Sequence, residues 1–378
     1  MRSTARRFGT SLLTVQRWVQ RAGDRDLAGV DWSDRPSRPL RIRRVPAVVE
    51  DAVLRVRSVL RDESILGEFG PQAIQRALRE DPSLADQVPS VRTIARILER
   101  RGALDGTRRI RRPAPPRGWY LPDVRARLVE LDSFDVIEGH HLPGGAEIDV
   151  LTGVSLHGGL IGAWPGPPLR AAAIVSRLVE HWQEVGRPAY AQFDNDTRFH
   201  GSHAYADIVG PVVRLCLALE VVPVFAPPRE HGFQAAIESF NGRWQTKVWA
   251  RRRHETMDDL VSASARYVHA HQIRSASRIE AAPVRLAMPS PLPDIGPATA
   301  GRIVYLRRTT DAGRAIVLGR SYDVDRHWPH RLVRAELDFT TARLSFFGLR
   351  RRQPDDQPLL AIHDYGPVIE HNRPTRRC

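Results

Sequence analysis

Residues 125–285 constrain the fold most. Three strand-like apolar runs follow one another at 127–137, 146–154 and 157–164, and a helical pattern then covers about 168–185. A fourth run at 188–194, a broken helical segment at 202–219, a fifth run at 220–225 and a long helix at 233–251 complete the series. Apolar residues switch between a period near 2 and a period near 3.6 along this stretch, which predicts an α/β core with helices crossing over between strands.

At 378 residues the chain exceeds one typical hydrophobic core, so two to four domains are expected. Its net charge of +14 and pI near 10.9 point to a polyanionic partner, most simply nucleic acid. Residues 1–118 hold 25 arginines against 14 acids, which is +11 of that +14. Lys247 is the only lysine, so a codon bias accounts for the choice of arginine but not for its clustering. Cys216 sits in an apolar stretch and Cys378 is the last residue, a spacing that suggests neither zinc nor a disulfide framework. With no signal peptide and no apolar run long enough to span a bilayer, a cytoplasmic, nucleoid-associated protein is expected.

Residues 1–45 read as a partial helix-turn-helix followed by a basic linker. Ala5, Gly9, Val15 and Trp18 stand where that motif needs a small residue, a turn glycine and two core contacts, and Thr10 or Ser11 can cap the second helix. Ser11, Thr14, Gln16, Arg17, Gln20 and Arg21 are then available to a major groove. The alternative is an ordinary amphipathic helix after a turn. The chain begins inside the motif's first helix, which points to a late start or a shortened module. Residues 46–118 predict a second such unit of three helices, at 46–62, Pro71–Glu80 and Val91–Arg101, closed by a basic, proline-rich connector at 105–118. Arg92 and Arg96 are its candidate DNA contacts, and a plain helical spacer is the alternative. Residues 286–297 form a linker, and short alternating runs with turns from 300 to 366 predict a small all-β barrel.

Three acids stand out within residues 119–285. Asp132 lies inside the apolar run Leu128–Phe134, Asp194 ends the run Ala189–Asp194, and Glu238 lies on the helix from Phe233 to Gly242. Magnesium or manganese takes carboxylate oxygens, and a two-metal site clamps the entering and leaving oxygens of a phosphoryl displacement. Each acid has a simpler reading: a paired structural carboxylate, a turn residue or a solvated helix residue. Asp135 and Asp149 are rivals for the first position, which Asp132 takes for its place in the run. His140-His141 reads as a hairpin tip, His231 as a loop residue, and the tryptophans from Trp244 to Trp249 as packing.

Glu130-Leu-Asp-Ser-Phe-Asp135, Phe193-Asp-Asn-Asp196 and Gln234-Ala-Ala-Ile-Glu-Ser-Phe-Asn-Gly242 together resemble the signature of the DDE transposase and retroviral-integrase superfamily, its insertion-sequence branch most closely. The resemblance runs along nearly the whole chain. It implies a multidomain protein: helix-turn-helix modules, a ribonuclease-H-like α/β catalytic core over 119–285, and the β-barrel. It also implies that Asp132 bridges two Mg2+ or Mn2+ ions, with Asp194 and Glu238 completing the two sites. The implied activity is hydrolysis at element ends and strand transfer into target DNA, by a homo-oligomer assembled on double-stranded DNA. Two departures stand out. Asp196 replaces a glycine common in the family, and Gln245 stands seven residues after Glu238, where many relatives are basic. Arg243, Arg251 and Arg252 are candidate substitutes for that basic residue. With the shortened N-terminus, these departures keep open an inactive DNA-binding relic or regulator; a metal nuclease of the same fold without strand transfer is a second alternative.

Overall fold

The computed structural model describes residues 1–33, 45–84, 87–104, 117–202, 207–230 and 232–366. The basic tracts at 34–44 and 105–116, and His231, lie outside them. Contacts divide the chain into two units, Met1–Ala52 and Val53–Cys378.

The first unit opens with α1 (Arg2–Arg7) and α2 (Leu12–Ala22). Gly9 takes a left-handed φ of 59° between them, a conformation that costs a side-chain-bearing residue energy. Ser11 then caps α2, its Oγ accepting from the Thr14 amide at 3.1 Å. Trp18 of α2 packs against Trp32, with ring centroids 5.6 Å apart.

The helix α3 (Ala47–Glu63) leads into the second unit, where α4 (Pro71–Glu80) and α5 (Val91–Arg100) follow. Ser90 caps α5 through the Thr93 amide, and Ile74, Leu78, Ile94, Ile97 and Leu98 turn inward at helical spacing. After the short α6 (Pro122–Arg125) come β1 (Leu131–His141), β2 (Glu147–Ser155) and β3 (Ile161–Gly166), an antiparallel meander. The chain continues through α7 (Ala171–Val185), β4 (Tyr190–Phe193), the single turn α8 (Thr197–His200), α9 (Pro211–Ala218) and β5 (Val222–Phe225). The next helix, α10 (Ala235–Trp244), runs into a π-helical turn at Gln245–Trp249, and α11 (Met257–Glu280) follows. No helix was assigned to 257–280 from sequence, yet Thr256 and Asp259 form a reciprocal capping box at its start, a signal legible in the residues themselves.

The last six strands are β6 (Arg302–Arg308), β7 (Arg314–Val317), β8 (Arg320–Asp323), β9 (Leu332–Asp338), β10 (Arg343–Gly348) and β11 (Leu359–Asp364). They do not form the separate closed barrel expected from their spacing. β6 pairs parallel to β5, Val224 opposite Val304 and Phe225 opposite Tyr305, and β9, β10 and β11 add on beyond it. The result is one nine-stranded sheet, β11-β10-β9-β6-β5-β4-β1-β2-β3, with β7 and β8 as a separate hairpin. The alternation in 300–366 set strand type correctly; the partner of β6 is a long-range choice that periodicity does not encode.

Both faces of the sheet are covered. On one, Phe134, Trp182, Phe193 and Leu215 belong to a core shared with α7 and α9. On the other, Ile137, Val150, Ile237, Phe240 and Trp244 pack with α10 and α11. Side chains alternate along each strand, so every residue of β1 belongs to one layer or the other. That parity decides the site.

Candidate active site

Asp132 and Asp135 are three residues apart on β1 and therefore face opposite sides of the sheet. Asp132 shares its parity with Phe134 and is buried. The Arg285 guanidinium donates to both of its oxygens, at 2.9 and 2.5 Å, and Trp182 Nε1 donates to Oδ2 at 3.3 Å. Its negative charge is thus neutralised and three of its four lone-pair positions are engaged, so Asp132, assigned to the metal site from sequence, sits in a buried ion pair on the other face of the sheet. Asp132 is the paired structural carboxylate that an acid in an apolar run requires.

Asp135 faces the α10 side. Its Oδ1 accepts from the Val136 amide at 2.9 Å and its Oδ2 from Asn241 Nδ2 at 2.7 Å. Burial pushes its carboxyl up to about 6, and the charges of Asp194 and Glu238 push in the same direction against those two hydrogen bonds. Two acids distant in sequence therefore act on Asp135.

Asp194 reaches this face through register. β1 and β4 run parallel, with Leu131 opposite Tyr190 and Ser133 opposite Gln192. Continuing that pairing by two residues sets Asp194 beside Asp135. Ser133 and Gln192 confirm the shared face, since the serine hydroxyl donates to Gln192 Oε1 at 3.2 Å. Burial also raises the Asp194 carboxyl, opposed by the Asp196 amide, which donates to Oδ1 at 3.0 Å. Glu238 stands exposed in the first turn of α10.

Asn241 is a site residue that the acid pattern alone does not single out. One turn beyond Glu238 on α10, it donates to Asp135, while its Oδ1 accepts from Thr152 Oγ1 at 2.8 Å. The amide thus ties α10 to β1 and β2. Its spacing of three from Glu238 was the available signal, because residues i and i+3 share a helix face.

Asp196 has a structural role. Asp196 caps α8 by accepting from the Arg198 amide at 2.7 Å, and it pairs with the Arg198 side chain at 2.6 Å. Arg198 also meets Glu138 at 2.8 Å and Asp149 at 3.4 Å, and its bond to Asp196, with Glu138 adding, raises its pKa. Asp149, the other rival acid, is buried and accepts from the Leu169 amide at 2.8 Å, so it is held structurally. Beyond Glu238, Lys247 Nζ donates to Gly67 O at 3.3 Å and Arg251 donates to Asp62 O at 2.7 Å and to Ser64 O. Both cations hold the loop after α3. Arg243 donates to Ser239 O at 3.1 Å within α10, and Arg252 remains exposed. Trp244 is buried, and Trp249 stacks on His140 with centroids 4.3 Å apart, as the packing reading expected.

Asp135, Asp194 and Glu238 supply hard oxygen donors on one face and repel one another, which fits a divalent cation. Among the described residues no group of three His, Cys, Asp or Glu side chains is drawn close enough to form a ready cage. Two of the acids are seated by backbone amides, while Glu238 is open to solvent on its helix.

Among the candidate DNA contacts, Gln16, Arg17, Gln20, Arg92 and Arg96 are exposed, and Arg92 and Arg96 are one helical turn apart. Thr14 is engaged with the Ser11 cap. Arg21 is not available: it stacks on Trp18, donates to Ser33 O at 2.7 Å and lies 3.6 Å from Asp31. No helix among the described residues is long and apolar enough to cross a membrane.

No protein-family model matches the chain, and no curated protein does either. Solved structures do. The integrase catalytic core domain of HTLV-2, in a structure with magnesium, aligns at 11% identity over 41% of this chain and 85% of that one, with a TM-score of 0.28. The catalytic core domain of BIV integrase aligns at 14% identity over 37% and 81%, also at 0.28. A simian T-cell lymphotropic virus intasome in complex with PP2A regulatory subunit B56 gamma aligns at 13% identity over 72% and 91%, at 0.34.

Proposed function

We propose that this protein is a DDE-type polynucleotidyl transferase of the transposase kind, with Asp135, Asp194 and Glu238 as its acids. The observation that carries the reading is the pressure that Asp194 and Glu238 exert on the Asp135 carboxyl. Like charges gathered from a strand interior, a strand end and a helix destabilise a fold unless a cation or a proton relieves them, so such clusters mark functional sites. The arrangement β3-β2-β1-β4-β5, with β2 alone antiparallel in that group, supports a ribonuclease-H-like core.

Asp135 and Asp194 would hold one magnesium or manganese ion and Asp135 and Glu238 a second. Bound metal supplies charge neutralisation at a phosphodiester and a more acidic water or 3′-hydroxyl. The protein's own residues do the positioning. Asn241 fixes the Asp135 carboxylate and leaves its remaining lone pairs free, and the Asp196 amide fixes Asp194. Phosphoryl transfer asks for little more than placement and charge. The substrate is double-stranded DNA, with the exposed arginines Arg17, Arg92 and Arg96 engaging element ends and a homo-oligomer joining two ends. On this reading the protein works at the nucleoid.

The test is magnesium- or manganese-dependent processing of duplexes carrying the element's ends. Wild type should cleave them and join the 3′-ends to target DNA. Asp135→Asn and Asp194→Asn should lose at least about 100-fold while still binding DNA, and folded Asp132→Asn should retain cleavage. A wild type that binds but never cuts would make the chain a DNA-binding relic; one that cuts but never joins would make it a nuclease.

A further inference from the structure

Behind the Asp194-Asn195 turn the structure holds a second feature that the acid site does not use. A cavity of about 620 Å3 opens there, lined by Asn195, Ser202, Arg229, Arg307, Arg308 and Thr310 among others. Among the described residues, none that lines it is acidic. It lies at the carboxyl ends of the parallel strands β4, β5 and β6, the edge where open α/β sheets bind ligands.

Arg307 is the centre of this cavity. It follows Tyr305 on the same face of β6, with its guanidinium carbon 4.9 Å from that ring's centroid. Nε donates to Ile316 O at 3.1 Å, Nη1 to Leu306 O at 2.9 Å and to Ala226 O at 3.5 Å, and Nη2 to Asn195 Oδ1 at 3.0 Å. A guanidinium has five N–H groups, so these four bonds leave one on Nη2 without an acceptor among the described residues. All four acceptors are neutral. No carboxylate faces Arg307 among the described residues, and burial lowers its pKa to about 10. A desolvated, unneutralised cation is as costly as a cluster of unneutralised acids, and here it lines a cavity next to one.

Arg229 adds to the positive character. It is exposed, holds a left-handed φ of 60° and makes no hydrogen bond or ion pair among the described residues. Arg308 is already committed to Glu230 and His330 O. Asn195 links cavity to acid site: it follows Asp194 directly, about 3.8 Å away between Cα atoms. Its Nδ2 donates to Ala226 O at 2.7 Å while its Oδ1 accepts from Arg307.

We propose that this cavity is a phosphate subsite, in which Arg307 and Arg229 seat a phosphodiester of the DNA strand that passes over the acid site. The assignment rests on the DNA-processing reading for the identity of the strand, but the anion site stands on its own geometry. Arg307 keeps one N–H for a phosphate oxygen, and the planar fork of Arg229 can donate to two at once. The β6 strand is then a working part of the core, joined to the sheet so that its last residues reach the turn after Asp194.

Binding of a fluorescently labelled DNA duplex to the full-length protein without divalent metal tests this, read across a salt series. Arg229→Ala and Arg307→Gln should each weaken binding several-fold and lower the slope of log K against log salt by about one, the loss of one phosphate contact. Arg314→Ala, which removes an exposed arginine of β7 paired with Asp323, should change neither. Arg229 has no structural bond to lose, so its variant keeps the test valid if Arg307→Gln fails to fold. Unchanged affinity and slope in folded Arg229→Ala would overturn the proposal. So would inorganic phosphate binding that depends on Arg307 while DNA binding does not, since the site would then serve a free anion. Loss of cleavage in wild type would sink the catalytic reading alone and leave these binding outcomes intact.

Discussion

Asn241 Nδ2 lies 2.7 Å from Asp135 Oδ2, joining the helix that carries Glu238 to the strand that carries Asp135. The amide's other end accepts from Thr152, which itself donates to the Asp135 backbone carbonyl at 3.1 Å. One side chain therefore sets both the direction of a carboxylate and the distance between two secondary-structure elements.

Removing that link is expected to separate rate from folding. Asn241→Ala leaves the Asp135 carboxyl held by the Val136 amide alone and Thr152 with only the Asp135 carbonyl as acceptor, at a stability cost of about 1 kcal/mol. Cleavage should fall more than tenfold and require higher metal concentration, with DNA affinity unchanged. Titration of activity against manganese checks this, and an unaltered metal requirement would leave Asn241 a purely structural residue.

Asp135→Asn should stabilise the metal-free protein near neutral pH. A carboxyl raised from 3.8 to about 6 binds protons more readily folded than unfolded, so its contribution is favourable at low pH and is lost as pH rises through that interval. At pH 7 relief of the strain is worth up to about 3 kcal/mol, since each pKa unit corresponds to about 1.4 kcal/mol. Magnesium or manganese should raise the melting temperature of wild type and leave that of Asp135→Asn unmoved. Thermal denaturation at pH 7 with and without metal measures both.

Asp132→Ala should unfold more readily by about 3–5 kcal/mol, because it leaves Arg285 buried without its counter-charge. The double variant Asp132→Ala, Arg285→Met should recover part of that loss. Denaturant midpoints of the two variants decide it; equal midpoints would mean that the pair is not coupled.

His181 makes stability depend on pH from the other direction. Burial lowers its pKa to about 4, with Arg285 adding to the effect and Asp132 opposing it. An imidazole protonated near 6.5 in the unfolded chain but near 4 in the folded one stabilises the fold above pH 6.5 and loses that contribution as pH falls toward 4. His181→Gln should flatten the stability curve between pH 6.5 and 4. An unchanged slope would assign the acid sensitivity elsewhere.

Helices and strands were legible because each obeys a local rule. Ser11 and Ser90 announce the starts of α2 and α5, and alternating apolar residues announce β1 through β5. The capping box at Thr256 and Asp259 is an equally local signal for α11. Asp194 and Glu238 were marked by their positions at a strand end and on a helix. The first acid was not, because Asp132 and Asp135 are both acids within one strand and differ only in parity.

By itself, the sequence determined the element types, the basic character and three segments from which the acids come, all properties of near neighbours along the chain. Tertiary structure decided which face of β1 meets α10 and which meets α7, and so sent Asp132 to Arg285 and Asp135 to Asn241. It also decided that β6 joins β5 and brings Arg307 to Asn195, where a free-standing barrel was expected. The physical reason is the same in both cases. A strand exposes two faces and two edges of similar chemistry, and only burial against distant residues distinguishes them.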